Sequence, residues 1–74
     1  MTTDSLTLRK IRLDVPMRLQ ELSDKSGVSI SRLSEIERGK KTTGWTLKKI
    51  AEGLGKPYEY IRLVYDEERK ANGN

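Results

Sequence analysis

The sequence predicts an all-α fold, a compact bundle of five short helices, from three observations. Apolar residues recur at intervals of three and four, which is the spacing of one helix face. Glycine and proline divide the chain into short segments of helical length. The length of 74 residues suits one small domain, so we expect a single domain over residues 1–74, ordered over about 5–68 and frayed at its ends.

Helix one is predicted to begin at Asp4 or Ser5, either of which can act as an N-cap. Its inward stripe is expected to consist of Leu8, Ile11 and Val15. The helix should end near Asp14, because Pro16 cannot continue it. Helix two is predicted over about residues 18–26.

A helix-turn-helix is predicted in the segment SDKSGVSISRLSEIERG, residues 23–39. Gly27 can adopt the positive φ that ends one helix, and Ser29 can cap the next by accepting a backbone N–H. Leu33 and Ile36 lie three residues apart on the inward face of helix three. The opposite face carries short or polar residues that have little to do in a core, which leaves it free to contact a partner.

Helix four is predicted over residues 44–54, with Thr43 as its N-cap and Gly55 as its C-cap. Its buried stripe should consist of Leu47, Ile50, Ala51 and Leu54. Gly53 is expected to be tolerated inside the helix. Trp45, the single tryptophan, is expected to shield the edge of the core; the alternatives are an indole contact with phosphate or a dimer contact.

Helix five opens at Lys56-Pro57, since proline is favoured at the first helical position. Its core-facing residues should be Tyr58, Ile61 and Tyr65. The apolar residues left on other faces are Tyr60, Leu63 and Val64. They predict a dimer contact, although Leu63 and Val64 can equally complete the core.

Positive charge is concentrated directly after helix three. The net charge is +4, and the segment 38–49 carries basic residues and no acidic one. Those basic residues are Arg38, Lys40, Lys41, Lys48 and Lys49. A basic cluster suits a polyanionic partner such as a nucleic-acid backbone, and a solvated surface is the competing interpretation.

Composition excludes several chemistries. The sequence has no cysteine and no histidine, which removes disulfides, thiolate and imidazole catalysis and the common zinc ligand sets. We therefore expect no enzyme, no metal site and no cofactor. The chain also lacks an apolar stretch of roughly 20 residues and a signal-peptide pattern, so no membrane association and a cytoplasmic location are expected.

The run LQELSDKSGVSISRLSEIERGKK, continued by TLKKIAEGLG, resembles the lambda repressor/Cro-like helix-turn-helix family, often called XRE-like regulators. The likeness covers about residues 8–61 and includes the glycine turn, Ser34-x-Ile36-Glu37-Arg38-Gly39 and the helix-four pattern. It implies a compact bundle of four or five helices that binds double-stranded DNA. It also implies that Arg12 pairs with Glu37, which would fasten helix one to helix three.

The resemblance implies that base edges are approached by Ser29, Ile30, Ser31 and Glu35. Ile30 suits a thymine methyl group, and Glu35 can accept a hydrogen bond from cytosine, although pairing of Glu35 with Arg32 or Arg38 is an equal alternative. Arg32 is long enough to read guanine or to reach a phosphate.

The residues expected to contact DNA phosphates are Arg18, Arg38, Lys40, Lys41 and Thr42. Arg18 is included because the family commonly has a phosphate-binding glutamine at the position of Leu19, which leucine cannot replace. Arg18 lies next to it, at the start of helix two, where the helix dipole favours an anion.

These observations favour a transcriptional regulator, a repressor that binds an inverted-repeat operator as a homodimer. The alternative is a protein-binding module with the same fold, such as an antitoxin or an adaptor, with a toxin or anti-repressor as its protein partner. Glu35 on the outer face and Leu19 at the phosphate position favour that alternative. The two roles are compatible.

Overall fold

The computed structural model describes residues 6–71, which form five α-helices. Their bounds are α1 Leu8–Asp14, α2 Leu19–Ser26, α3 Ile30–Glu37, α4 Gly44–Leu54 and α5 Tyr58–Ala71. No strand occurs within these residues. The predicted all-α class and the five-helix architecture are confirmed, and α5 continues to Ala71.

Helix α1 begins two to three residues later than the predicted caps imply. Asp4 and Ser5 lie outside the described residues, and Thr7 is the N-cap: its hydroxyl oxygen accepts a hydrogen bond from the Lys10 backbone N–H over 3.1 Å. Leu8 and Ile11 are buried as predicted. Val15, by contrast, is 38% exposed, because it lies in the turn that follows α1 rather than on its inward stripe.

The turn between α2 and α3 has the predicted chemistry. Gly27 has φ +79° and its N–H donates to the Ser23 carbonyl, which ends α2. The Ser29 hydroxyl accepts from the Arg32 N–H over 3.2 Å and starts α3. The Ser26 hydroxyl accepts from the Val28 N–H over 3.1 Å inside the turn. This short bridge fixes the direction in which α3 leaves α2.

One apolar core joins all five helices. Its members are Leu8, Ile11, Met17, Leu22, Val28, Leu33, Ile36, Leu47, Ile50, Ala51, Leu54, Ile61, Val64 and Tyr65. Helix α4 is central, because it packs against both α2 and α5. Thr43 and Gly55 cap it as predicted.

Gly53 lies at a close contact between α2 and α4. A Cβ atom there would lie 2.9 Å from the Leu22 Cδ1 atom and 3.2 Å from the Ser26 backbone nitrogen. A side chain at this position would require Leu22 and α2 to shift, and glycine allows the approach without any shift. The described part of the chain contains no helix that is long and apolar enough to cross a membrane.

Candidate nucleic-acid interface

The outward face of α3 is open to solvent. Ile30 is 40% exposed, and Ser31 and Arg32 are exposed beside it. The Ser29 oxygen accepts the capping hydrogen bond from the Arg32 backbone N–H, so the Ser29 hydroxyl can still donate outward. This face, Ser29 to Arg32 with Glu35, is called the reading face below.

Glu35 is partly buried on the reading face. Its alternative role was an ion pair with Arg32 or Arg38, and the ion pairs found among residues 6–71 do not include Glu35. The carboxylate therefore remains available as a hydrogen-bond acceptor. Near DNA phosphates it would be repelled unless it met a donor such as the cytosine amino group.

The inward side of α3 is fixed by an ion pair with α1. The Arg12 guanidinium donates from Nε to Glu37 Oε2 over 2.6 Å and from Nη2 to Glu37 Oε1 over 3.1 Å. Its Nη1 atom donates to the Met17 carbonyl over 2.9 Å. The two side chains are only 8% and 10% exposed. A bidentate, nearly buried pair of this kind restrains the axial rotation of α3 and so aims the reading face.

Glu68 of α5 lies beside this ion pair. Its Oε1 atom accepts a hydrogen bond from the Leu8 backbone N–H over 3.3 Å. Desolvation raises the pKa of the Glu68 carboxyl, the hydrogen bond from Leu8 opposes that rise, and the charge of Glu37 adds to it. Ionised Glu68 is thus less favourable in the folded chain than in water.

The segment between α3 and α4, called the cationic segment, exposes three positively charged side chains, Arg38, Lys40 and Lys41. The segment is fixed from α5, because the Tyr65 hydroxyl donates to the Lys40 carbonyl over 3.0 Å and accepts from the Thr42 N–H over 2.9 Å. Sequence reasoning assigned Tyr65 to the core alone. Its hydroxyl bridges residues 23 and 25 positions away, and nothing local in the sequence indicates that link.

This bridge corrects the prediction that Thr42 contacts phosphate. Tyr65 draws the segment onto α5, so the Thr42 hydroxyl oxygen is buried without a hydrogen-bond partner among the described residues. Its backbone N–H is already donated to Tyr65. Neither donor of Thr42 faces outward.

Arg18, the remaining predicted phosphate contact, is exposed just ahead of α2. Its backbone N–H donates to the Glu21 Oε1 atom over 2.9 Å, so the carboxylate closes the start of the helix. Leu19 is partly buried against the core. Arg18 is therefore the residue at this end of α2 whose charge projects into solvent.

Two predictions about apolar residues need correction. Val64 is 5% exposed and belongs to the core, because it follows Ile61 by three residues on the inward side of α5. It is not available for a dimer contact, whereas Tyr60 and Leu63 are 38% and 59% exposed. Trp45 does not shield the core edge: it is 69% exposed on the outer side of α4.

The comparisons with known proteins give one match. A family model described as Helix-turn-helix matches residues 8–61, which is well over half of the chain. The matched segment runs from the start of α1 into α5 and contains the reading face, the Arg12–Glu37 pair and the cationic segment. Searches of curated proteins and of solved structures give no significant match.

Proposed function

The chain belongs to the lambda repressor-like helix-turn-helix family, and on that premise we propose that it is a sequence-specific regulator of transcription that binds double-stranded DNA. Members of this family are typically non-enzymatic DNA-binding regulators. The proposal goes further than the family, because it assigns operator recognition to particular residues of this chain.

The observation that carries the proposal is the reading face itself. Ile30 is a large apolar residue left 40% exposed. The other side of the same helix packs in the core and is held by the Arg12–Glu37 ion pair. The major groove of B-DNA is about 12 Å wide and admits one α-helix. A helix with a fixed inner side and an open outer side suits that groove.

Each side chain of the reading face has a distinct partner chemistry. Ile30 packs against a thymine methyl group, Ser31 donates or accepts, and Arg32 donates to guanine O6 and N7. Glu35 accepts from the cytosine amino group. Arg18, Arg38, Lys40 and Lys41 contact phosphates and set the register without reading sequence.

We assign the chain the role of a repressor that acts as a homodimer. Tyr60 and Leu63 on the exposed side of α5 supply the contact between the two copies. Two reading helices about 34 Å apart, one turn of DNA, would contact the halves of an inverted repeat. Occupancy of that repeat would block polymerase.

The exposed side chains of Tyr60 and Leu63 also favour a second candidate, a protein-binding role such as that of an antitoxin or adaptor. Salt separates the two roles. Duplex binding through several phosphate contacts weakens steeply as salt rises, whereas an apolar contact through α5 does not. A complex that persists at high salt would support the second candidate.

Selection of binding sites from random duplexes tests the proposal directly. The purified protein should enrich a palindromic sequence, because two-fold symmetry of the protein appears as symmetry of the site. Failure to retain any duplex at low salt would refute the DNA-binding proposal. An enriched site without a palindrome would refute the homodimer alone.

Two sets of variants then separate the residues that contact bases from the residues that contact phosphates. Arg32→Ala and Ser31→Ala should relax preference at single positions by about 1–3 kcal/mol. Lys40→Ala and Lys41→Ala should weaken binding to all duplexes and lower the salt slope by about 1 for each lysine replaced. Equal loss of sequence preference in both sets would contradict the assignment of roles.

A further inference from the structure

Trp45 has no evident role in holding the fold. It is the single tryptophan of the chain and, at 69%, the most exposed large hydrophobic residue in the described part. The buried side of α4 is complete without it, through Leu47 and Ile50. Tryptophan is enriched at interfaces because it offers a large apolar ring together with an N–H donor.

Trp45 lies beside two lysines and one glutamate, Lys48, Lys49 and Glu52. The Lys49 ammonium nitrogen lies 5.3 Å from the centre of the indole ring, a cation–π arrangement. Lys48 is exposed one turn along the same side of the helix. Trp45, Lys48 and Lys49, called the Trp45 patch, therefore combine an apolar surface with two positive charges.

The Trp45 patch adjoins the cationic segment that precedes α4. Trp45 is the second residue of α4 and follows Thr42 by three positions. Trp45 follows Lys40 and Lys41 by five and four positions, and Tyr65 holds the backbone of Lys40 and Thr42 in place. A duplex bound to those lysines would have its backbone close to the indole.

We propose that Trp45 and Lys48 contact the sugar–phosphate backbone next to the phosphates that Lys40 and Lys41 bind. The indole packs against deoxyribose and donates its N–H to a phosphate oxygen, and Lys48 contacts the adjacent phosphate. Lys49 holds the ring in place from one side. This inference rests on the proposed DNA-binding function and extends the contacted length of the duplex.

Charge favours DNA over a second copy of this chain as the occupant. Two patches facing each other would bring together four lysines and two glutamates, one Glu52 from each copy. The net charge of +2 at such a contact opposes association. An acidic peptide shares the charge preference but lacks the regular row of phosphates that the neighbouring cationic segment would bind at the same time. The duplex satisfies both surfaces at once.

The single tryptophan makes the test direct. The full chain is titrated with an end-labelled, mixed-sequence duplex of about two helical turns at low salt, and label anisotropy and tryptophan emission are recorded together. Anisotropy reports DNA binding, and emission reports the environment of Trp45. Both signals should change with the same midpoint, and emission without DNA should not depend on protein concentration.

Variants then measure the contribution of the patch. Trp45→Ala should weaken duplex binding roughly tenfold, and Trp45→Phe by less, because phenylalanine keeps the apolar contact and loses only the N–H donor. Lys48→Ala should lower the salt slope by about 0.9. Lys56→Ala is the matched control, an exposed lysine beyond the other end of α4, and should leave the slope unchanged.

The outcomes separate the inference from the proposed function. If anisotropy rises but emission stays constant and Trp45→Ala binds like the parent chain, the inference is wrong and the DNA-binding function stands. If anisotropy does not change, both are wrong. An emission change on concentrating the protein alone would assign the patch to a second copy. A change with polyglutamate but not with duplex would assign it to an acidic protein.

Discussion

Helix α3 has an inward side and an outward side that alternate within eight residues. On the inward side, Leu33 and Ile36 are 1% exposed, and Glu37 is held by two hydrogen bonds from Arg12. On the outward side, Ile30 is 40% exposed, and Ser31 and Arg32 are free of side-chain hydrogen bonds within residues 6–71. The inward side is fully engaged in the fold, whereas the outward side makes one internal side-chain hydrogen bond within residues 6–71, the cap that Ser29 provides for α3.

An eight-residue helix can therefore be held rigidly and still present side chains to a partner. Rigidity comes from contacts made behind the reading face, by α1 and by the core. Recognition is left to side chains that contribute little to stability. Substitutions on the two sides should therefore separate into those that unfold the domain and those that change only its binding.

The largest expected effect comes from breaking the inward side at Glu37. Glu37→Ala leaves the Arg12 guanidinium nearly buried without its carboxylate, and a change of this kind costs about 3 kcal/mol. A domain of this size has a total stability of about 5 kcal/mol. About 2 kcal/mol would remain, so urea denaturation followed by circular dichroism should show a midpoint well below that of the parent chain.

Glu35→Ala is the matched control, because Glu35 lies two residues earlier on the same helix and forms no ion pair among the described residues. It should change stability by less than about 0.5 kcal/mol while altering base preference. Joint replacement of Arg12 and Glu37 by apolar residues should recover most of the stability. Equal destabilisation by Glu35→Ala and Glu37→Ala would remove the distinction between the two sides.

A smaller effect is expected at Tyr65, whose ring packs in the core and whose hydroxyl holds the cationic segment. Tyr65→Phe keeps the buried ring but removes the hydroxyl that joins Lys40 and Thr42. The loss of this bridge should cost about 1 kcal/mol of stability. Freed from α5, the cationic segment should bind all duplexes several-fold more weakly with unchanged base preference.

Tyr60→Phe controls for loss of a tyrosine hydroxyl on the same helix. Tyr60 is 38% exposed, and its hydroxyl forms no hydrogen bond within the described residues. Because Tyr60 is also assigned to the dimer contact, the titration uses a duplex with a single half-site, which one copy occupies. Chemical denaturation and this titration should then give the same values as for the parent chain. If Tyr65→Phe binds duplex as tightly as the parent chain, the cationic segment does not need the Tyr65 hydroxyl in order to bind DNA.

The comparison also explains which features the sequence could predict. Caps and turns are local, so Gly27, Ser29, Thr43 and Gly55 were predicted from neighbours a few positions away and are confirmed. Helical spacing likewise separated Leu33 and Ile36 from the reading face. These features need no knowledge of how distant helices pack.

Features that depend on distant packing could not be predicted in the same way. Val64 and Leu63 are adjacent and similarly apolar, and only the rotation of α5 against the core decides that Val64 is buried. Glycine has a low helix propensity, so its place at position 53 is explained only by packing. A Cβ atom there would lie 3.2 Å from the Ser26 backbone nitrogen. Thr42 was predicted to contact phosphate because its hydrogen-bond partner Tyr65 is 23 residues away and could not be identified from the sequence.

The smallest expected effect concerns Glu68 of α5, which lies beside the Arg12–Glu37 pair. Its pKa is raised above the ordinary value mainly by desolvation, so the folded chain holds a proton on it more readily than the unfolded chain. Stability from this group is fully present below the ordinary pKa of about 4.5 and is lost as pH rises through the folded value. Glu68→Gln should therefore stabilise the domain at neutral pH by about 0.3 kcal/mol, allowing for solvent screening.

The pH dependence makes this small effect measurable. The stability difference between Glu68→Gln and the parent chain should vanish as pH falls below the ordinary glutamate value, since both side chains are then neutral. Glu67→Gln is the control, because Glu67 is 63% exposed and only loosely paired with Lys70 at 4.0 Å. Denaturation midpoints measured across the acid range should converge for Glu68→Gln alone. A constant offset at every pH would mean that the glutamine acts through packing, and that ionisation of Glu68 does not lower the stability of the fold.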